Sequence, residues 1–334
     1  MASDGALLAA YDAVLLDLDG TVYQGARPIA GVAEAVRGLR ERGTPVRYVT
    51  NNASKAPGDV ADTLRGMGIV AEVREVSTSA QAAAKLLGER VAAGAKVVVV
   101  GAPALMDEVA AVGLEPVREM SADVAAVVQG HWPETGWRNL AEACLAIRAG
   151  ALWVACNVDS TLPTERGELP GNGSMVAALR SATGAEPLVA GKPAAPLLHT
   201  AAASAGAGNA LVVGDRLDTD IAGAVTAGLD SLLVLTGVAT PASLLAAIPG
   251  ERPTYLAADL GGLAENTDDL QIGPQKAWQV QADGDTLEVS GCGDPVGLLR
   301  ALCHTAWETG RTEVRGDDDT SRAALAGLGL TQAG

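Results

Sequence analysis

The sequence predicts an α/β protein in which parallel strands alternate with helices. Two observations carry this prediction. Short Val-rich runs recur along the chain, and Ala-rich stretches of about 10–15 residues with helical periodicity separate them, which is typical of βαβ units. The runs are apolar throughout, as expected for strands whose sheet is covered on both faces.

The elements follow one another in a regular order. We predict strands at residues 13–18, 46–50, 96–101, 124–129, 152–156, 211–214 and 231–236. We predict helices at residues 31–42, 79–92, 137–149, 173–181 and 218–227.

The chain changes in character after about residue 268, where Gly273-Pro274 interrupts it. Two further strands are predicted at residues 277–281 and 286–290, and a helix at 294–307. The last stretch contains Asp317-Asp318-Asp319 and ends rich in glycine, so we predict a solvated tail there.

Length and charge limit the classes of function. A chain of 334 residues with 48% apolar residues favours about two domains. The 24 basic and 40 acidic residues give a formal charge of −16, which argues against a nucleic-acid surface. An anionic substrate would need a local positive site, because the field of the whole protein repels it.

The cysteines and the start of the chain bear on location. Cys144, Cys156, Cys292 and Cys303 show no CxxC spacing, so we expect free thiols in a reducing compartment rather than a zinc site or a disulfide framework. The start, Met1-Ala2-Ser3-Asp4, has no basic region typical of a signal peptide, and no apolar run is long enough to span a membrane. We expect a cytoplasmic protein without membrane or nucleic-acid partners.

Polar segments follow the predicted strands at the positions where parallel sheets bind ligands. They are Asp17-Leu18-Asp19-Gly20-Thr21, Thr50-Asn51-Asn52, a turn with Gly191-Lys192-Pro193, and the run from Gly214 to Asp220. The chain between the second and third segments contains its own strands and helices. We therefore predict an α/β domain inserted at about residues 78–186.

The first segment carries the most informative chemistry. Asp17 and Asp19 are two residues apart at a strand end, so their side chains point to the same face and repel each other when both are charged. A bound cation or a retained proton would relieve that repulsion. Asp215 adds a third carboxylate, and three oxygen donors suit a hard cation such as Mg²⁺. A single such pair often only caps a turn, but here it is combined with the three other segments.

These four segments resemble the motifs of the haloacid dehalogenase superfamily of aspartate-nucleophile phosphohydrolases. The opening Asp17-Leu18-Asp19-Gly20-Thr21-Val22-Tyr23-Gln24-Gly25 is similar to that of its type IIA subfamily, which includes p-nitrophenylphosphatase-like, phosphoglycolate, glycerol-phosphate and pyridoxal-phosphate phosphatases. The resemblance covers about residues 10–265. It implies a three-layer α/β/α Rossmann-like core at residues 1–77 and 187–267, an α/β cap at 78–186, and a small C-terminal αβ appendage at 268–334.

The resemblance also implies roles for the acidic residues. Asp17 would be the nucleophile that forms an aspartyl-phosphate, and Asp19 the general acid and base. The Asp17 carboxylate, the Asp19 backbone carbonyl and Asp215 would hold Mg²⁺, and Asp220 would support the water shell of the metal. Membrane ion-pumping ATPases share the nucleophile, but that family has Thr at the position of Asp19.

Phosphate and substrate contacts follow from the same resemblance. The residues implied to bind the phosphoryl group are Leu18, Thr50, Asn51, Asn52 and Lys192. In the cap, Cys156-Asn157-Val158-Asp159 is similar to a TN-x-D stretch of the subfamily, with Cys156 in place of the usual Thr. Asn157 and Asp159 are our candidates for contacts to the leaving group. The alternative is that they are turn residues whose side chains bond nearby backbone.

The C-terminal segment is open to two interpretations. Glu288-Val289-Ser290-Gly291-Cys292-Gly293 resembles the pyrophosphate loop of acetyl-CoA-dependent N-acetyltransferases. However, Glu288 stands where that family usually has Gln or Arg, Asp294 adds negative charge, and half a domain cannot readily bury its own core. We favour a glycine turn that caps a helix in a docking or dimerisation module, with an acetyltransferase-like fragment as the alternative.

The expected function is Mg²⁺-dependent hydrolysis of a small phosphomonoester. The resemblance implies glycerol phosphate and phosphoglycolate as the favoured substrates. An inserted cap that covers the site favours small molecules in general. The alternatives are a phosphatase for pyridoxal phosphate or nucleotides, or a protein to which the C-terminal segment gives a binding or regulatory role. A homodimer is compatible with the sequence.

Overall fold

The computed structural model describes residues 6–164 and 166–330. The start Met1–Asp4 and residues 331–334 of the glycine-rich end lie outside the described residues. Within the described ranges, no helix has the length and apolar character needed to cross a membrane.

The elements alternate between strand and helix over most of the chain. The strands are β1 (Ala13–Asp17), β2 (Tyr23–Gln24), β3 (Arg27–Pro28), β4 (Val46–Thr50), β5 (Val76–Thr78), β6 (Lys96–Val100), β7 (Glu115–Val117), β8 (Val124–Gln129), β9 (Leu152–Ala155), β10 (Thr161–Thr164), β11 (Gly167–Pro170), β12 (Leu188–Val189), β13 (Ala210–Gly214), β14 (Asp230–Val234), β15 (Tyr255–Ala257), β16 (Trp278–Asp283), β17 (Thr286–Gly291) and β18 (Glu313–Gly316). The α-helices are α1 (Val32–Glu41), α2 (Pro57–Gly66), α3 (Ser79–Gly88), α4 (Pro103–Ala111), α5 (Trp137–Arg148), α6 (Asn172–Thr183), α7 (Pro196–Ala205), α8 (Ala222–Ala227), α9 (Pro241–Leu245), α10 (Thr267–Leu270), α11 (Pro295–Thr309) and α12 (Asp319–Gly327).

The chain divides into two compact units. The first contains the residues up to Gln24, residues 28–46, and the chain from Ala207 onward. The second contains residues 25–27 and 47–206. The predicted boundaries of core, cap and appendage stay a prediction.

The first unit contains a parallel sheet with the strand order β15-β14-β13-β1. Its register pairs Leu16 of β1 with Val213 of β13. The strand residues are buried almost throughout, as expected for a sheet covered on both faces. In this register the carboxyl ends of β1 and β13 are neighbours, so the polar residues that follow the two strands lie at the same edge.

The second unit contains a parallel sheet with the strand order β12-β9-β8-β6-β7. Strands β4 and β5 pair in parallel, and β10 and β11 form an antiparallel pair. Helices α5 and α6 contribute Ala143, Ile147 and Leu179 to an apolar cluster with the Val and Trp residues of the sheet. The predicted α/β class with parallel sheets is confirmed.

The C-terminal segment shares its core with the first unit. Strands β16, β17 and β18 form a small mixed sheet, antiparallel between the first pair and parallel between the second. Leu287 and Leu302 of this segment belong to the same buried cluster as Leu233, Leu245 and Leu256 from β14, α9 and β15. A segment too short to bury a core of its own therefore completes an existing one.

Two local predictions need correction. The stretch after Asp317 is not a solvated tail over its described part, because Asp318 accepts a hydrogen bond from the Ser321 N–H (2.7 Å) and caps α12. The helix predicted at 218–227 begins instead as a π-helical turn, Leu217–Ile221, and only Ala222–Ala227 is α-helical. π-Helical turns inside helices often occur at functional sites.

Candidate active site

The turn after β1 determines the environment of the first two acidic residues. The buried Leu18 carbonyl accepts hydrogen bonds from the N–H groups of Val22 (2.8 Å) and Tyr23 (3.0 Å), which closes a tight loop. Gly20 in this loop has φ of 88°, a conformation that favours glycine. The loop leaves Asp17 half-buried and Asp19 exposed.

Asp215 follows β13 and is completely buried. The backbone N–H of Val238 donates to Asp215 Oδ2 (2.7 Å), and the Thr21 hydroxyl donates to Oδ1 (3.3 Å). Glycine surrounds the carboxyl group: a Cβ at Gly20 would lie 2.6 Å from Asp215 Cγ, and a Cβ at Gly237 would also lie within 3 Å. Two hydrogen bonds and two glycines therefore hold this carboxylate in one position.

Asp220 lies in the π-helical turn and is 1% exposed. Its Oδ2 accepts a hydrogen bond from the Arg216 N–H (3.1 Å), and the Asp220 N–H donates to the Arg216 carbonyl (3.2 Å). A Cβ at Gly214 would overlap the Asp220 side chain, so glycine at the end of β13 makes room for this carboxylate.

Three carboxylates come together at this edge of the sheet. One oxygen each of Asp17, Asp215 and Asp220 lies within 4.8 Å of the others. Three carboxylates this close repel one another unless a cation or protons neutralise them. Oxygen donors alone are the set that Mg²⁺ prefers, so the residues present fit this metal. Asp220, assigned above to the water shell of the metal, lies in the same group as Asp17 and Asp215.

The pKa of the Tyr23 phenol is affected by the acidic residues of the loop after β1. Burial, and then the negative charges of Asp19 and Asp17, raise the pKa of Tyr23 well above its usual range. Tyr23 therefore stays protonated at neutral pH, and its hydroxyl can act as a hydrogen-bond donor next to the acidic residues.

The second unit contains the loop that follows β4. Thr50 is 4% exposed, and its Oγ1 accepts a hydrogen bond from the Asn52 N–H (3.1 Å). The Asn52 side chain in turn accepts from the N–H (2.7 Å) and hydroxyl (2.8 Å) of Ser54. These local bonds fix the path of the backbone from Thr50 to Ser54.

Asn51 is the centre of a larger hydrogen-bond network in this unit. Its Oδ1 accepts from the Lys192 N–H (2.8 Å), and its Nδ2 donates to the Lys192 carbonyl (3.0 Å). Nδ2 also donates to both carboxylate oxygens of Asp159 (3.2 and 3.3 Å). The Asn51 carbonyl accepts from the Asn157 amide (2.7 Å) and from the Ser79 hydroxyl (2.5 Å).

The structure thus brings Asn51, Asn157, Asp159 and the Lys192 backbone together. Asn157 is 4% exposed and Lys192 is 2% exposed. The Asn157 Oδ1 also accepts from the Asp159 N–H (3.3 Å), which supports the alternative of a turn residue that bonds nearby backbone. The predicted contacts of Asn157 and Asp159 to a leaving group stay a prediction.

Sequence reasoning missed two positioning residues. Gly237 makes room for Asp215, and its place directly after the predicted strand at 231–236 is the signal that could have identified it. Ser79 is fully buried at the start of α3, where its hydroxyl holds the Asn51 carbonyl. Only its place after a strand distinguishes Ser79 from other serines in the sequence.

Family models match three parts of the chain. A haloacid dehalogenase-like hydrolase model matches residues 14–115, and a HAD-hydrolase-like model matches residues 189–263. A model of a GCN5-related N-acetyltransferase like domain matches residues 275–330.

Three relatives with assigned names align over two thirds of the chain or more. D-glycerol 3-phosphate phosphatase of Mycobacterium tuberculosis is 48% identical over 331 residues, which covers 94% of this chain and 93% of the relative. 5′-Nucleotidase YutF of Bacillus subtilis is 40% identical, covering 68% of this chain and 88% of the relative. Acid sugar phosphatase of Staphylococcus saprophyticus is 37% identical, covering 75% and 95%.

Solved structures extend the similarity to the whole fold. A glycerol phosphate phosphatase from M. tuberculosis, in complex with magnesium, has a TM-score of 0.93 at 49% identity and covers 98% of this chain and 99% of that chain. The 4-nitrophenylphosphatase of Thermotoga maritima has a TM-score of 0.71 at 31% identity, covering 77% and 97%. The expected family is confirmed: the chain belongs to the haloacid dehalogenase-like hydrolases.

Proposed function

We propose that the protein hydrolyses a small phosphomonoester in a Mg²⁺-dependent reaction, with glycerol 3-phosphate as the favoured substrate. The observation that carries this proposal is the group of Asp17, Asp215 and Asp220 at the carboxyl ends of β1 and β13. The substrate is taken from the relative with 48% identity, a D-glycerol 3-phosphate phosphatase, which aligns through the C-terminal segment as well.

In the proposed first step, an Asp17 oxygen attacks phosphorus and the bond from phosphorus to the leaving alcohol breaks, so that an aspartyl-phosphate forms. Asp19 donates its proton to the alkoxide. In the second step Asp19 takes a proton from water, which attacks the same phosphorus and releases phosphate and Asp17. The exposed position of Asp19, two residues beyond Asp17, supports this division of roles.

The carboxylates of Asp17 and Asp215 and the Asp19 carbonyl are the groups that would hold Mg²⁺, and Asp220, which lies in the same group of carboxylates, would support the water shell of the metal. When bound, the metal supplies positive charge that neutralises the carboxylates and the phosphoryl group. Two hydrogen bonds hold the Asp215 carboxylate in position. This supports a role as metal ligand, because metal sites need donors that are already in position.

We also propose that Leu18, Thr50, Asn51, Asn52 and Lys192 bind the phosphoryl group. Lys192 would supply a local positive charge at the site, because a chain of net charge −16 otherwise repels an anionic substrate. The local hydrogen bonds of Thr50 and Asn52 support a preformed loop with its backbone in a fixed path.

The remaining parts of the proposal concern organisation. We propose a core of residues 1–77 and 187–267, a cap of residues 78–186 and an appendage of residues 268–334. A cap that encloses the site limits substrates to small molecules and excludes water during the reaction. The four free cysteines support a reducing, cytoplasmic location, and a homodimer is compatible with the sequence.

A nucleotide is the second candidate substrate, because a 5′-nucleotidase aligns with 68% of the chain at 40% identity. Phosphate release should therefore be measured with Mg²⁺ for D- and L-glycerol 3-phosphate, phosphoglycolate, pyridoxal phosphate and nucleoside 5′-monophosphates. EDTA and Asp17→Asn serve as controls. Activity that is highest with glycerol 3-phosphate and absent in both controls supports the proposal. Preference for a nucleotide favours the second candidate, and no turnover of any ester refutes both.

A further inference from the structure

The Asn51 side chain pairs with the Lys192 backbone in both directions. Oδ1 accepts from the Lys192 N–H (2.8 Å) while Nδ2 donates to the Lys192 carbonyl (3.0 Å). An amide side chain that uses both of its ends in this way replaces the pairing that a neighbouring strand would give. The position of Lys192 along the chain therefore depends on the orientation of one amide group.

The close approach of Asn51 requires glycine before Lys192. A Cβ at Gly191 would lie 2.6 Å from Asn51 Oδ1. The Gly191 N–H donates to the Cys156 carbonyl (2.8 Å), immediately before Asn157. The turn at Gly191 is thus joined to the Asn157–Asp159 segment by its backbone and to Asn51 by a side chain.

Asp159 stabilises the orientation of the Asn51 amide that the Lys192 backbone requires. A carboxylate can only accept hydrogen bonds, and both oxygens of Asp159 face Asn51 Nδ2 (3.2 and 3.3 Å). If the amide turned over, Oδ1 would face the carboxylate and the Lys192 carbonyl, and Nδ2 would face the Lys192 N–H. All three contacts would then be repulsive.

We propose that Asp159 and Asn51 are positioning residues for Lys192. The Asp159 carboxylate holds the Asn51 amide, and the amide holds the backbone from which the Lys192 side chain extends. This inference rests on the proposed function, in which Lys192 binds the phosphoryl group. It assigns Asp159 a role that does not require contact with the leaving group, unlike the role expected from the subfamily resemblance.

Inorganic phosphate separates these two roles, because it has a phosphoryl group and no leaving group. Asp159→Ala removes the acceptor, and Asp159→Asn keeps one acceptor oxygen without the charge. Asp123→Ala is the matched control, since it removes an exposed carboxylate of the same unit that pairs with Lys96 (2.8 Å). Asp159→Leu replaces the carboxylate by an apolar group of similar size and is the variant to use if Asp159→Ala does not fold.

The affinity for inorganic phosphate, measured by calorimetry with Mg²⁺, and kcat/KM for the preferred ester are the two readouts. A hydrogen bond to a charged group predicts that Asp159→Ala lowers both by about 10- to 100-fold. Asp159→Asn should recover most of the loss, and Asp123→Ala should match the wild type. The effect of Asp159→Ala should largely disappear when Asn51 is already Ala, because the two residues act through the same contact.

Three results would overturn the inference. The first is unchanged phosphate affinity in Asp159→Ala despite a lower kcat/KM, which would indicate a contact to the leaving group. The second is wild-type behaviour of Asp159→Ala or Asp159→Leu in both readouts. The third is full additivity of the Asp159 and Asn51 substitutions. A wild-type protein that turns over none of the esters refutes the proposed function instead, and is recognised before any variant is made.

Discussion

Substitutions of the glycines around the Asp215 carboxylate can separate two effects: displacement of this carboxylate by a new side chain, and backbone strain at the substituted glycine. Gly20 has φ of 88°, and a Cβ there would lie 2.6 Å from Asp215 Cγ. Ordinary carbon contacts begin near 3.4 Å, so in Gly20→Ala the carboxylate must move by about 0.8 Å. It would then leave the Val238 N–H, to which it is bonded at 2.7 Å.

We expect Gly20→Ala to be impaired mainly in catalysis. A displacement of about 1 Å in a reacting or ligating group costs roughly 100-fold in rate. The cost in stability is smaller: alanine at a left-handed position loses about 1 kcal/mol, which corresponds to roughly 2–4 °C in Tm for a large domain. The Mg²⁺ concentration that gives half of full activity should rise, because Asp215 is a proposed ligand.

Two other glycines supply matched controls. Gly31 has φ of 81°, and a Cβ added there would have no atom within 4 Å, so Gly31→Ala tests the strain alone. Gly237 has no left-handed φ, but a Cβ there would lie within 3 Å of Asp215, so Gly237→Ala tests the displacement alone. We expect Gly31→Ala to lose Tm at full kcat, and Gly237→Ala to lose kcat.

The assay is phosphate release over a range of Mg²⁺ concentrations, together with thermal unfolding of each variant. If Gly20→Ala and Gly237→Ala keep the kcat and Mg²⁺ dependence of the wild type while Gly31→Ala shows the same loss of Tm as Gly20→Ala, the placement of Asp215 does not control activity. The inference that Gly20 and Gly237 support activity by making room for the Asp215 carboxylate would then be wrong.

Three further predictions concern charge and capping. In EDTA, Asp17→Asn should unfold at a higher temperature than the wild type, because it relieves the repulsion among the three carboxylates, and relief equal to one pKa unit is worth about 1.4 kcal/mol. Saturating Mg²⁺ should remove this advantage. Equal Tm values in EDTA would show that the three carboxylates do not repel one another. Burial lowers the pKa of His131, so below about pH 6.5 the unfolded chain binds more protons than the folded chain, and the folded state loses stability as the pH falls. The Tm of His131→Gln should therefore fall less on acidification than the Tm of the wild type, as measured by thermal scans. Asp318→Ala should cost about 1 kcal/mol by removing the cap of α12, whereas Asp319→Ala, which leaves the cap in place, should cost less in denaturant unfolding.

The C-terminal segment illustrates which features local patterns determine. Apolar runs and the Gly-Pro interruption predict its two strands and first long helix, which lie at β16, β17 and α11. The run Asp317-Asp318-Asp319 predicts a solvated segment, because three adjacent charged residues are usually exposed to water. Whether an aspartate caps a helix depends on the residues that follow it. Here Leu325 packs in the shared core and stabilises α12.

Local patterns in the sequence are enough to predict the class of fold, the strand ends that carry the polar segments, and the family. These features are local, because apolar runs and the polar residues beyond them are read within about ten positions. Local patterns do not reveal that Gly237 makes room for Asp215, or that the Asn51 side chain forms hydrogen bonds with the Lys192 backbone. Each of these is a contact between residues distant in the chain. Such contacts follow from strand order and from the space available at each position, and neither can be read from neighbouring residues.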